Sequence, residues 1–295
     1  MERLAALPSP DEFRAAPRRA VALMGMSGVG KTHIARMLRA SGGWFHYSVD
    51  YRIGTRYMGE HIVDNFKREA MKSPFLRDLL LTDSIYIASN IAFENLKPLS
   101  TYLGKPGAAE LGGIPFEEYV RRQREHRAAE IAATCDIELF LGKAKDIYGY
   151  DHFVADTSGS LCEVVDPDDA EDPVLRALSR HALPVYIRES AQDVEELCSR
   201  FDVDPKPIYF DETFLRATWA AYLEESGARA EDVDPDAFMR WSFRRQIEHR
   251  RPRYRRIAEN WGVAIDKAAL ETVRDEADFL DLITNTLATA AETAR

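Results

Sequence analysis

Residues 21–32 read VALMGMSGVGKT, and the fold of the whole chain turns on this stretch. An apolar run, Val21-Ala22-Leu23-Met24, leads into Gly25, then four spacers (Met26, Ser27, Gly28 and Val29), then Gly30, Lys31 and Thr32. That is the phosphate-binding loop pattern, expected between a strand and a helix, the helix here covering His33 to Ala40. Gly25 and Gly30 keep side chains clear, so successive main-chain N–H groups between Gly25 and His33 can turn inward around a polyphosphate. The helix adds the positive end of its dipole. Lys31 can reach the β- and γ-phosphates, and the Thr32 hydroxyl can ligate Mg²⁺. At average residue frequencies the four fixed positions recur by chance in about one chain in a hundred of this length, and the flanking strand and helix patterns make that rarer. A glycine-rich turn that binds nothing is the bland alternative.

The chain has 295 residues, enough for one large domain or two modest ones with ample core. Its 45% hydrophobic and 30% charged content is that of an ordinary globular protein. No apolar run approaches the ~20 residues needed to span a bilayer, so no membrane partner is expected. The start, MERLAALPSPDEF, lacks the basic head and long apolar centre of a secretory signal. Cys135, Cys162 and Cys198 are odd in number and widely spaced, fitting neither a disulfide framework nor a zinc site, so a reducing cytoplasm is expected. A net charge of −10 gives no support for nucleic-acid binding over long tracts. Two basic clusters stand out, Arg121 to Arg127 and Arg244 to Arg256; solvated helix faces are the plain explanation.

Outward from the loop, Asp11 to Ala16 suggests a short helix, and Ser41-Gly42-Gly43 a stop after the first crossover helix. Trp44 to Asp50 is aromatic and β-branched enough for a second strand, putting Asp50 at its C-terminal end, where open α/β sheets gather ligand groups. From Thr55 to Tyr148 helical spacing dominates, over Glu60 to Lys72, Ser84 to Leu96 and Phe116 to Leu141. A loop with four glycines and two prolines, Leu103 to Pro115, is long enough to suggest a lid or binding role, a surface excursion being the alternative. The region reads as a helical insertion at 55–148 in a core made of 1–54 and 149–295.

The core pattern resumes at His152 to Ala155, a short strand ending at Asp156 and followed by Thr157-Ser158-Gly159-Ser160. An aspartate there suits a metal or substrate role in phosphate transfer, an Asx-type turn being the alternative. The acidic stretch Asp166 to Pro173 reads as a solvated loop. A fourth strand follows over Leu183 to Arg188, then helices over Ala191 to Phe201, Glu212 to Glu225 and Pro235 to His249. Another helix to Trp261, a strand at Val263 to Ile265 and a helix over Glu276 to Ala290 complete the pattern. Strands alternating with helices indicate a parallel sheet covered on both faces.

Several of these residues together resemble the shikimate kinase and gluconate kinase branch of the P-loop kinases. Besides the phosphate loop, Ser48-Val49-Asp50 resembles that branch's Asp-x-Asp, and Thr157 to Ser160 its Thr-Gly-Gly-Gly turn. Pro184 to Phe201 is similar to its next strand and helix, and Arg250-x-Pro-x-Tyr254 to the Arg-x-Pro-x-Tyr opening its late helix. The likeness is collinear over about half the chain. It departs at Ser48, where the family has an aspartate, at Ser158 and Ser160, which replace glycines, and in the roughly 90-residue insertion.

The resemblance implies a P-loop NTPase fold with a five-stranded parallel core, helices on both faces, and transfer of the γ-phosphoryl group of ATP to an unidentified acceptor other than shikimate. Lys31 and the amides of Gly25 to His33 would hold the phosphates, with Thr32 on Mg²⁺ and Asp156 either ligating Mg²⁺ through water or assisting Asp50. Asp50 would orient or deprotonate the acceptor hydroxyl. Arg244, Arg245 or Arg250, in a lid at about 202–253, would neutralise the migrating group; Arg250, Arg52 or Arg56 could clamp an anionic acceptor. Structural salt bridges account for any single arginine equally well. Two rival classes stay open. One is a nucleotide-dependent ATPase switch whose helical insertion docks a protein, the GTPase form disfavoured by the lack of an Asn-Lys-x-Asp pattern. The other is a kinase of nucleotides or nucleic-acid ends using the arginine-rich helices.

Overall fold

The computed structural model of the chain describes residues 3–293. Five parallel strands, β1 (Ala20–Met24), β2 (Trp44–Ser48), β3 (His152–Asp156), β4 (Leu183–Arg188) and β5 (Val263–Asp266), form one sheet in the order β2-β3-β1-β4-β5. The chain is thus α/β with helices flanking an all-parallel sheet. Val21 to Met24 are wholly buried, as an all-parallel sheet covered on both faces requires. The connection from β1 to β2 crosses β3, whereas that from β3 to β4 crosses β1 in the opposite direction. Right-handed crossovers then send their helices to opposite faces. A crevice results where the two leave the sheet, at the C-terminal ends of β1 and β3. Register puts Leu23 and Ser48 level with Asp156 there.

The chain divides into two compact units. The sheet unit comprises residues through Val49, Glu130–Asp204 and the chain from Ser242. The helix Lys31–Ala40 packs on β2 and β3, Ile137–Asp146 on β2 and β3, Pro173–His181 on β4, and Glu276–Thr293 on β5. The helical unit comprises Asp50–Ala129 and Pro205–Trp241. Its centre is aromatic: Phe116 stacks on Trp219 at 4.8 Å, and Trp219 meets Phe238 edge-on at 4.8 Å. The Tyr119 hydroxyl donates to the Ile208 carbonyl (2.8 Å), and the Phe210 N–H donates to Gln123 Oε1 (2.9 Å). Ion pairs Arg124–Glu212 and Arg216–Glu117 close its surface.

This division departs from the boundaries expected at 54/55 and 148/149. Residues 130–148 join the sheet because Ile137–Asp146 covers β2 and β3 and Tyr47 donates its hydroxyl to the Ala133 carbonyl (2.5 Å). Residues 205–241, expected as a lid of the core, form the aromatic centre of the helical unit instead. The loop from Leu103 to Pro115 is not loose: Gly107 N–H donates to the Ile114 carbonyl and Ala108 N–H to the Val233 carbonyl.

Other elements shift. β2 stops at Ser48, and a helical turn, Val49–Arg52, follows at once, so Asp50 lies on helix rather than at a strand end. No helix covers Ser84 to Leu96. The nearest helices are Pro74–Leu81 and Lys97–Leu103, with Asp83 at φ 53° and a bridge between Ala92 and Asn95 in the interval. The helix expected to Leu141 breaks at Asp136 into Phe116–Cys135 and Ile137–Asp146, while Pro235–Trp261 is a single helix with Pro252 inside it. Among the described residues no helix is long and apolar enough to cross a membrane.

Candidate phosphate-binding site

β1 delivers the loop Gly25 to Gly30 to the C-terminal edge of the sheet, and the helix Lys31–Ala40 begins directly behind it. Gly25 (φ 140°), Gly28 (φ 87°) and Gly30 (φ 108°) all take backbone conformations that side-chain-bearing residues resist. Gly30 caps the helix without a side chain, so no side-chain oxygen covers the first-turn amides. Met26 and Val29 are buried and pin the loop from beneath, while Ser27 and Gly28 are exposed at its crest. Lys31 is 6% exposed, and its ammonium donates to the carbonyls of Gly25 (2.8 Å) and Met26 (3.0 Å). His33 is exposed in the first helical turn.

Beside it, Thr32 Oγ1 donates to Asp156 Oδ2 at 2.6 Å, so the helix after β1 and the last residue of β3 meet. His46, buried on β2, lies with Nε2 3.8 Å from the same oxygen. A hydroxyl and a carboxylate side by side are hard oxygen donors of the kind Mg²⁺ takes together with phosphate oxygens and water. Among the described residues no group of three or more His, Cys, Asp or Glu forms a self-sufficient metal cage. Bare first-turn amides, a buried lysine and the Thr32–Asp156 pair fit Mg²⁺ with a polyphosphate.

The turn after β3 is fastened on every side. Thr157 donates its N–H (3.2 Å) and hydroxyl (2.9 Å) to the Leu23 carbonyl of β1. Ser160 Oγ, 2.8 Å from Ser158 Oγ, donates to Glu130 Oε2 at 2.7 Å. Arg250, 4% exposed, donates through Nη1 to the Gly159 carbonyl (3.0 Å) and through Nη2 to Glu163 Oε2 (2.6 Å). Burial works against the Arg250 charge, but Glu163 outweighs it and raises the pKa. Tyr254 donates its hydroxyl to the Ser158 carbonyl (3.4 Å), and Arg253 donates to the Cys162 and Val165 carbonyls. Gly159 leans on the phosphate loop: a Cβ there would stand 2.8 Å from the Ser27 nitrogen and closer still to its Oγ.

Of the other sequence candidates, Arg244 is exposed and paired with Glu195 at 2.7 Å on the neighbouring helix, and Arg245 is exposed. Asp50, Arg52 and Arg56 belong to the helical unit; Arg52 lies over the Tyr57 ring (5.5 Å) and Arg56 is exposed. Four buried carboxylates escaped the sequence reading: Glu130, Glu163, Glu189 and Asp172, the last expected in a solvated loop but capping the helix Pro173–His181. Glu189 follows β4 directly, accepts from the Tyr186 hydroxyl (3.1 Å) and pairs with Arg251 (3.1 Å); burial raises its pKa. Its signal was available, since it is an acid at a strand's C-terminal end just as Asp156 is. Glu130 and Glu163 lie in a helix and a turn where no local pattern marks them.

No protein-family model matches the chain, and no curated protein matches it.

Proposed function

We propose that the protein has a P-loop NTPase fold and is a Mg-ATP-dependent phosphotransferase that moves the γ-phosphoryl group to a small-molecule hydroxyl or anionic acceptor. One observation carries the proposal: the loop with glycines at 25, 28 and 30, buried Lys31 and the Thr32–Asp156 pair share the edge where β1 and β3 part. Lys31 would exchange the Gly25 and Met26 carbonyls for phosphate oxygens, and the amides from Gly25 to His33 would hold the tail in place. Thr32 and Asp156 would hold the metal, which when bound neutralises charge on the phosphates. Because phosphoryl transfer asks mainly for positioning and charge stabilisation, fixed amides and a lysine suffice for much of the catalysis. Asp50 is assigned to the acceptor by resemblance alone; Asp50→Asn is expected to retain nucleotide binding and lose transfer, as measured by calorimetry beside a transfer assay. A cytoplasmic location belongs to the same proposal and rests on the three free thiols.

The test has two stages. Calorimetry of the full chain with Mg²⁺ and ATP should show saturable heat; none would remove the proposal. Incubation with γ-labelled ATP and a metabolite extract should then label a small compound. Release of inorganic phosphate with no labelled compound would favour an ATPase switch.

A further inference from the structure

The edge of the sheet opposite the phosphate loop holds a cavity of about 640 Å³. It lies against the N-terminal ends of β1, β3 and β4, at Ala20, His152 and Leu183, and all its lining residues belong to the sheet unit. β1 runs from it to the phosphate loop and β3 to Asp156, so four residue steps, about 13 Å, separate the two edges. The volume is that of a small-molecule site, and Phe13, Phe153, Leu183 and Trp261 give it buried apolar walls. Arg18, Lys145 and Arg180 reach it from three separate segments; all are exposed, and none makes an ion pair or side-chain hydrogen bond among the described residues. Lys145 and Arg180 lie in the last turns of their helices, where positive charge also offsets the final carbonyls. Arg18 lies in a bend, on no helix. Arg19 brings the cations to four, against the three carboxylates of Glu12, Asp146 and Asp151, and Glu12 is already engaged by the Ser9 N–H (2.8 Å). With histidines counted neutral the lining is thus positive, on a chain whose net charge is −10.

We infer that this cavity is a second ligand site, taking a small organic anion whose carbon skeleton lies on Phe13, Phe153 and Trp261 and whose oxyanion group is held by Arg18 and Arg180. The apolar walls draw the skeleton out of water, and a local excess of positive charge on an acidic chain draws the anion. Arginine suits the task because its planar fork offers two parallel N–H donors to a carboxylate, phosphate or sulfonate. The inference stands apart from the nucleotide reading and uses none of its residues.

The experiment titrates the full chain with anilinonaphthalene sulfonate and with phenylnaphthylamine, the same skeleton without the sulfonate, and reads their fluorescence. The wild type should show a saturable site for the sulfonate that MgATP does not displace. Arg18→Gln combined with Arg180→Gln should weaken the sulfonate roughly tenfold, the order expected for lost hydrogen bonds to a charged group, and leave the neutral probe within about twofold. Gly142 also lines the cavity, and a Cβ there would meet nothing within 4 Å, so Gly142→Trp should fill the space and abolish binding of both probes. All three positions are exposed, so the variants keep the fold, as circular dichroism should show. Any of four results would overturn the inference: no saturation by the sulfonate, equal effects of the glutamine variants on the two probes, displacement by MgATP, or undiminished sulfonate binding to Gly142→Trp. The last would put the probe elsewhere, as on the exposed Phe75 and Leu81. A chain that takes the sulfonate but binds no MgATP would support the second site while defeating the nucleotide reading.

Discussion

Lys31 makes a structural contact and, under the proposed function, would also act on the phosphates, and the two can be separated. Its ammonium crosslinks the loop carbonyls of Gly25 and Met26 from a nearly buried position. A lysine that also follows charge into the transition state contributes more to rate than to fold. Lys31→Ala is therefore expected to keep its circular dichroism spectrum while steady-state turnover of Mg-ATP falls by about two orders of magnitude or more. Glycine positions offer a cleaner contrast. Gly159→Ala puts a methyl against Ser27 and should lower nucleotide affinity, whereas Gly42→Ala, at φ 92° with open space around it, should cost about 1 kcal/mol of stability and leave affinity alone. Titration calorimetry beside thermal melts distinguishes the two.

At the scale of elements, the helix Ala191–Val203 opens with a capping box. Ser190 accepts from the Asp193 N–H (3.1 Å), and Asp193 accepts from the Ser190 N–H (2.8 Å). Ser190→Ala should cost about 1 kcal/mol in denaturant unfolding. Asp193 also pairs with Lys267 (2.5 Å), so Asp193→Ala should cost more. Elements written in local chemistry were legible beforehand. Val21-Ala22-Leu23-Met24 before a glycine loop, LPVYIR and the short run His152 to Ala155 ending at Asp156 each identified their strands. The helix Pro173–His181 had a readable start as well: Asp172 accepts from the Val174 and Leu175 amides with proline at the first helical position, but the surrounding acids masked it. What stayed hidden depended on contacts far along the chain. Val49, Tyr51 and Ile53 have strand propensity yet form helix, because tertiary context overrides weak preferences. Asp156 was legible at a strand's end and Thr32 in the loop pattern; the Arg250–Glu163 pair, 87 residues apart, was not.

For the molecule as a whole, acid is the side from which stability should fail first near neutrality. His152 opens β3, and its Nδ1 accepts from the Arg19 N–H (3.1 Å) while the Arg19 guanidinium faces Nε2 at 3.4 Å. Desolvation, then the Arg19 charge, lowers its pKa below the usual 6.5, although Glu276 and Asp151 pull the other way. The unfolded chain thus binds more protons than the folded one between the two pKa values, so stability rises with pH through that window. Melting temperature should be level above about pH 6.5 and fall as pH drops below it. In His152→Gln that slope should shrink, as read from pH-dependent thermal melts.

Glu130 and Arg250 deserve to be read together. Each grips the same short turn, and each sits on an unbroken helix, Phe116–Cys135 or Pro235–Trp261, that begins in the helical unit and ends in the sheet unit. Excising residues 50–129 and 205–241 to obtain a minimal nucleotide domain would cut both helices upstream of Glu130 and Arg250. The fragment would keep Glu130 and Arg250 but carry each on a truncated helix.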